Sequence, residues 1–276
     1  MFFYEGGVQV PKLYAMSDIH GCYEAMMDTL HLVDLDAGEE NKLILLGDYV
    51  DGGADSCQVL YHIKHLEEKY PKQVITLLGN HEKMFIDWYT TLDDKSKWLA
   101  HDFNLFTIKS FFSGEQFEMM EKQPVMTKGS YYEISHYMVQ MLKEKHGELL
   151  NWLSEKNRRL PYYETENQIY VHAGICEEED WKQATRTNEF FWKYPAETGI
   201  FMKDIIAGHV STAEVADDKS YLGRVFWDKS SHFYIDGETV KSNIIPLLKY
   251  DANKKSYSGY EKKKDGSWLE YPIVKR

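Results

Sequence analysis

Five short apolar runs, each broken off by residues able to hold a metal ion, constrain this chain more than any other feature. They are KLYAM before SDIHG, KLILL before GDYVDGG, QVITLL before GNHE, QIYV before HAG, and DIIA before GHV. Each has the length of a strand and is rich in Val, Ile, Leu or Tyr. Between the first two runs, Tyr23, Met26, Met27, Leu30 and Val33 fall at helical spacing. Between the second and third, Leu60, Ile63, Leu66 and Tyr70 do the same until Pro71 stops the helix, with Asp55 or Ser56 as its cap. The order β-α-β-α-β with right-handed crossovers predicts parallel strands whose following residues gather at one sheet edge. Asp18, His20, Asp48, Asp51, Asn80 and His81 are therefore expected together, with the strand before Asp48 lying between the other two.

Aspartate, histidine and asparagine donors suit a first-row divalent ion, and two such ions about 3.5 to 4 Å apart can clamp an in-line phosphoryl displacement. Asp18 and His20 can hold one ion, Asp48 can share its two oxygens between both, and Asn80, His172 and His209 can complete the second. The ions' charge would lower the pKa of a shared water toward neutrality, giving hydroxide as nucleophile. One such motif alone means little, because Asp-Gly and Asn-His pairs after strands are ordinary turns. The weight rests on five motifs in one chain, with His20, His81, His172 and His209 all following strand-like runs.

Residues 83–160 behave differently. They carry many aromatics, Trp88, Trp98, Phe111, Phe112 and Phe117 among them, and helical periodicity from Ile134 through Met138, Met141, Leu142, Leu149 and Leu153. A mostly helical insertion is expected, serving as extra core beside the sheet, as a wall over the site, or as both. After GHV come the strand-like pieces GRVFWD, HFYIDG and NIIPLLKYD, for which an antiparallel second sheet is expected. The 276 residues are read as a single domain, 1–276, that includes this insertion.

Net charge −12 argues against non-specific binding to nucleic acid or to an anionic membrane surface, and it weakens a nuclease reading. Residues 1–12 lack the basic start and apolar core of a signal peptide, and no run reaches the ~18 residues of a membrane span, so the expected location is cytoplasmic. Cys22, Cys57 and Cys176 fit neither a disulfide framework nor paired zinc motifs and are read as free thiols.

SDIHG (17–21), GDYVDGG (47–53) and GNHE (79–82) resemble the GDxHG, GDxVDRG and GNHE signature of the phosphoprotein phosphatases among calcineurin-like metallophosphoesterases. HAG (172–174), GHV (208–210) and the closing YIDGETVKSNIIPLLKYD extend the likeness, which covers roughly 12–82 and 168–250. The resemblance implies an α/β fold, a four-layer αββα sandwich, with a two-metal site between strand ends and the ligand roles given above. Mn²⁺ leads as the metal, with Fe, Zn, Ni or Co as alternatives. The resemblance also implies that Asp51 orients His81, which protonates the leaving oxygen.

Two departures accompany this likeness. Gly52 stands where the family has a phosphate-binding Arg, and FFWKYPAE offers Trp192, Lys193 and Tyr194 where a Trp-x-Arg stretch is usual. Arg186 and Lys193 are the candidate substitutes. Restoring Arg at position 52 is expected to raise kcat/KM on a simple monoester about tenfold, unless the turn needs positive φ there. The leading functional expectation is a serine/threonine protein phosphatase-like hydrolase of phosphorylated substrates, phosphoprotein or nucleotide. The alternatives are a bis(5'-nucleosyl) tetraphosphate hydrolase of the bacterial branch, and a metal-binding interaction module without turnover.

Overall fold

Alternation along the strands decides the architecture. In β1 (Lys12–Met16), Leu13 and Ala15 belong to one apolar cluster while Tyr14 and Met16 belong to another. In β2 (Lys42–Leu45), Ile44 joins the first cluster, while Leu43 and Leu45 join the second. A sheet buried on both faces needs continuous apolar runs, which is why these segments lack the polar alternation of a half-exposed strand. The computed structural model describes residues 11–92 and 98–275, the side chain of Phe103 aside. The stretch 1–10, most of the segment read as lacking a signal peptide, lies outside the described residues, as do 93–97 within the insertion.

Six strands form the first sheet in the order β11-β10-β9-β1-β2-β3, and five form the second in the order β4-β5-β6-β8-β7. The first adds β3 (Val74–Thr76), β9 (Leu248–Asp251), β10 (Ser256–Lys262) and β11 (Trp268–Ile273). The second comprises β4 (Tyr162–Glu164), β5 (Gln168–Val171), β6 (Asp204–Ser211), β7 (Phe226–Trp227) and β8 (His232–Asp236). Leu13, Ala15 and Ile44 from one sheet meet Tyr170, Ile206, Phe233 and Ile235 from the other in a shared apolar layer. Helices α1 (Tyr23–Leu30) and α2 (Ser56–Lys69) cover the outer face of the first sheet. The αββα sandwich expected from the resemblance is the fold observed.

β1, β2 and β3 pair in parallel with β2 between its neighbours, as the crossover argument requires. The expectation of an antiparallel second sheet is corrected. β5, β6 and β8 are parallel, and only the outer strands β4 and β7 run against their neighbours. Residues 212–231, which include the helical turn Thr212–Val215, form a crossover long enough to return the chain parallel. The LKYD of NIIPLLKYD leaves that sheet altogether and pairs antiparallel with β1, and the β10–β11 hairpin extends the same edge.

The described parts of 80–156 are mostly helical, through α3 (Asn80–Thr91), α4 (Trp98–His101), α5 (Phe106–Ser110), α6 (Gly114–Glu121), α7 (Pro124–Lys128) and α8 (Tyr131–Lys156). Ser130 and Glu133 close a capping box at the start of α8, and Met138, Leu142, Leu149 and Leu153 form its buried stripe. This insertion shares one apolar cluster with α1 and α2. Among the described residues no helix is long and apolar enough to cross a membrane.

α8 is fastened to α2 by a charge: Lys156, only 3% exposed, pairs with Glu67, which also accepts from Trp152 Nε1 at 2.8 Å. Removing one partner of a buried pair strands the other. Glu67→Ala is expected to destabilise the protein by about 3 kcal/mol in chemical denaturation, and adding Lys156→Met to recover most of that loss. Equal stability of Glu67→Ala and the parent would show that the pair does not hold the insertion.

Candidate metal centre

The turns after β1 and β2, and one position within β6, hold side-chain-bearing residues in an uncommon backbone conformation. Asp18, His20, Asp48, Asp51 and His209 all have positive φ, between 48° and 68°. L-residues with side chains pay for that region, and they hold it where the surroundings over-determine it. Here the turns after β1 and β2 are laced together: Asp18 N–H donates to the Gly47 carbonyl at 3.0 Å, His20 N–H to that of Asp48 at 2.9 Å, and Gly21 N–H to that of Tyr49 at 2.8 Å. In β6 the pairing with β8 slips between Ala207 and Ser211, a bulge that re-aims His209 toward the first sheet. Gly208 lets this happen, since a Cβ there would stand 2.1 Å from Asp18 Oδ2.

Asp48 is the centre of the cluster. Its Oδ2 faces His172 Nε2 at 3.4 Å, His20 Nε2 at 3.7 Å and His81 Nε2 at 3.9 Å. Its Oδ1 accepts the His81 N–H at 3.0 Å. Asp18 accepts the His209 N–H at 3.1 Å across the two sheets and lies 3.9 Å from His20 Nε2. His172 Nε2 is also 2.9 Å from Asn80 Oδ1. The rings of His20 and His172 are oriented from behind. His20 Nδ1 sits 3.0 Å from the Val50 and Asp51 carbonyls, and His172 Nδ1 sits 3.1 Å from the Leu46 carbonyl. A proton on each Nδ1 satisfies those carbonyls and turns Nε2 toward the carboxylates, the usual way a protein orients a ligating imidazole.

The electrostatics fit a cation. Burial pushes the Asp18 carboxyl up, and it pushes the Asp236 carboxyl up as well, with the Asp18 charge as the second cause. Burial works in the same sense on Asp48, but the facing imidazoles, His172 first, outweigh it and hold that carboxyl low. Burial would lower His172 and His81, yet Asp48 overrides it and lifts them to about 9 and about 10. His209 is pushed down to about 4 by burial and by the charge of His172. In the protein alone, protons on imidazoles balance the buried carboxylates, a task that divalent ions would take over with the same donors. Two donor groups, His20/Asp48/His81 and Asp48/His172/His209, each have their ligand atoms within 4.8 Å of one another and share Asp48. This mixed nitrogen and oxygen set suits first-row divalent ions. His81 belongs to one of these groups, so geometry by itself allows its Nε2 either to bind an ion or to carry a proton.

His81 Nδ1 lies 2.7 Å from Asp51 Oδ2, which places the two residues of the expected acid pair in direct contact. Glu82, fully buried, was not singled out from the sequence beyond being a letter of GNHE. Its carboxylate accepts main-chain N–H groups from Asp48 at 2.8 Å, Tyr49 at 2.6 Å, Val50 at 3.1 Å and Gly79 at 2.9 Å, tying the turn after β2 to the turn after β3. Trp98, one of the insertion's aromatics, and Thr107, which nothing in the sequence singles out, both reach Asp51. No spacing in the sequence signalled that.

The two candidate substitutes for the missing arginines are not brought into the cluster. Lys193 donates to the Ile175 carbonyl, pairs with Glu197 at 2.9 Å and packs its stem on Gly174, so it braces the turn after His172. Arg186 is exposed, and its N–H donates to Glu189 at 2.6 Å. The idea of Gly52 as an empty clamp position is corrected: its φ is 103°, and a Cβ would meet Val240 Cγ2 at 2.8 Å. Gly52→Arg is therefore expected to lose stability, about 1 to 2 kcal/mol from the backbone alone, and to gain nothing in kcat/KM. Denaturation and steady-state kinetics on a monoester check this, and a tenfold gain would reinstate the clamp.

Comparison with known proteins bears on the same residues. Residues 11–231 match the family described as calcineurin-like phosphoesterase. A symmetrical bis(5'-nucleosyl)-tetraphosphatase of Nitrosospira multiformis is 40% identical over 70 residues, covering 25% of this chain and 24% of that protein. One of Legionella pneumophila is 34% identical over 122 residues, covering 44% of this chain and 41% of its own length. The chain thus spans less than half of these curated relatives. A cold-active protein-tyrosine phosphatase of a Shewanella species superposes with a TM-score of 0.59 at 16% identity, over 95% of this chain and 80% of that one, a likeness of fold.

Proposed function

Since the chain belongs to the calcineurin-like phosphoesterases, we propose that it is a metal-dependent hydrolase of phosphate esters. The observation that carries this reading is Asp48 Oδ2 facing three imidazole Nε2 atoms within 3.9 Å, beside an Asp51–His81 pair in 2.7 Å contact. Two divalent ions, Mn²⁺ foremost, would be held by Asp18, His20, Asp48, Asn80, His172 and His209, and would polarise the phosphoryl group and activate water. The chain's own residues do the rest. Water adds through its oxygen to phosphorus and gives up a proton to solvent as the bond from phosphorus to the leaving oxygen breaks, and the His81 Nε2 proton passes to that oxygen. Asp51 accepts from Nδ1–H and so keeps Nε2 turned toward the reacting group and stabilises the imidazolium that donates. The intact set of donors and the acid pair speak against a module without turnover, which would need neither.

Within that class, a nucleoside polyphosphate is the better-supported substrate than a phosphoprotein. The curated relatives that share 34 to 40% of residues with part of the chain are named tetraphosphatases, whereas the likeness to the protein-tyrosine phosphatase is one of fold. A substrate with a polyphosphate chain and two bases also has contacts to offer where position 52 has no guanidinium to give.

Chelation is expected to abolish hydrolysis and Mn²⁺ to restore it, with bis(5'-adenosyl) tetraphosphate turned over faster than a phosphoserine peptide. Full turnover by metal-free protein, followed by chromatography of the products, would sink the mechanism, and a preference for the peptide would reverse the substrate reading. His81→Ala is expected to lower kcat about 10²- to 10⁴-fold while bound metal, measured by elemental analysis, stays near the parent's. Loss of metal in that variant would make His81 a ligand.

A further inference from the structure

The carboxylate of Asp51 receives more than the imidazole. Its Oδ2 accepts Trp98 Nε1–H at 3.0 Å alongside His81 Nδ1, and its Oδ1 accepts the Thr107 hydroxyl at 2.7 Å. Thr107 Oγ1 in turn accepts the Asp51 main-chain N–H at 3.1 Å, so that one hydroxyl grips both the backbone and the side chain of Asp51. A hydroxyl has one proton to give, and giving it to Oδ1 leaves its oxygen to accept the N–H. The arrangement uses both of its functions.

Both donors come from the insertion, and both are fixed there. Trp98 is almost fully buried against Phe85 and Trp88, with ring centroids at 4.7 and 4.9 Å. Thr107 lies in α5, where the buried Asp102 carboxylate accepts the N–H groups of Thr107 and Ile108, each at 3.0 Å. Ser110 of the same helix accepts the Cys57 N–H at 3.0 Å, anchoring α5 to the start of α2. Indole N–H can only donate, and with two donors already committed to the carboxylate the remaining partner, His81 Nδ1, meets an oxygen that can only accept. That sets the tautomer: Nδ1 carries a proton toward Asp51 and Nε2 faces Asp48.

We propose that Trp98 and Thr107 are positioning residues of the reaction: through Asp51 they keep a proton on His81 Nδ1 and hold the ring so that the imidazolium donates from Nε2 to the leaving oxygen, leaving the Nδ1–H tautomer behind. The helical insertion then has a catalytic task beyond packing. The inference rests on the acid-pair reading above, and neither residue touches substrate.

The test compares an alkyl phosphate, whose leaving group needs a proton, with an aryl phosphate such as 4-nitrophenyl phosphate, whose leaving group needs little. Thr107→Val keeps the shape and removes the hydroxyl, Trp98→Phe keeps a ring and removes the N–H, and Thr107→Ser restores the donor. Thr107→Val and Trp98→Phe should each lower kcat on the alkyl ester about tenfold or more, with a much smaller loss on the aryl ester and KM and bound metal unchanged. Thr107→Ser should return close to the parent. In chelator-treated protein, the downfield proton resonance of His81 Nδ1–H, identified by its disappearance in His81→Asn, should weaken or vanish in Thr107→Val and persist in Thr107→Ser. Equal losses on both esters, no loss, or an unchanged Nδ1–H signal would overturn the proposal, and Trp98→Phe gives the reading should Thr107→Val not fold. If His81→Asn itself spares the alkyl ester, the acid-pair reading falls and takes this inference with it. If His81→Asn shows the split and neither insertion variant does, only the inference falls.

Discussion

Buried negative charge at the meeting of two sheet edges is the constraint on which the rest of this structure depends. Asp18, Asp48, Glu82 and Asp236 are each less than a tenth exposed. No chain collects carboxylates in its interior without counter-charges or donors to meet them. Glu82 is met by main-chain N–H groups, and those bonds fix the two turns that carry Asp48, Asn80 and His81. Asp48 is met by imidazoles whose other nitrogens are pinned to carbonyls. The uncommon φ values at Asp18, His20, Asp48, Asp51 and His209 are the backbone side of the same arrangement. The strain is tolerated because the hydrogen bonds leave those turns no other conformation, and a cation would relieve what charge remains.

The sequence made some of this legible and hid the rest, for identifiable reasons. β1, β2 and β3 were readable because strands buried on both faces must be apolar throughout, and the intervening helical spacing made them parallel. That placed β2 in the middle and Asp48 at the shared position. Pairing direction after His209 was not readable. Short runs such as HFYID carry no record of whether their connection is a hairpin or a crossover, and the tail strand Trp268–Ile273 is too exposed to stand out as apolar. Glu82 was visible as a motif letter, but its bonds to main-chain groups of the turn after β2 are a property of the folded turns.

Trp98 and Thr107 illustrate a deeper limit. A tryptophan inside an aromatic-rich helical stretch is most simply read as core, and Trp98 is core: its ring packs on Phe85 and Trp88. One atom of that ring, Nε1, reaches the carboxylate of Asp51. Periodicity reports which face of a helix is buried and not what a buried polar atom meets, so a side chain that packs the insertion can also reach Asp51 without any sign of it in the sequence.

Gly52 shows why resemblance has to be checked against local backbone. Compared with a family motif, the position looks like a lost arginine, and the site looks impaired. The turn itself gives a different account. φ of 103° is open to glycine, Val240 fills the space a side chain would enter, and the neighbouring Thr239 hydroxyl donates to the Asp18 carbonyl at 2.7 Å. The segment after β8 is therefore built onto the turn that carries the first candidate ligand, in contact with the space above Gly52. Lys193 is likewise spent as a brace behind His172. Gly52 therefore offers no cation, and the Lys193 ammonium is committed to the Ile175 carbonyl and Glu197. The groups proposed to activate water and to protonate a leaving oxygen are thus all present, while the turn at position 52 adds no side chain to them.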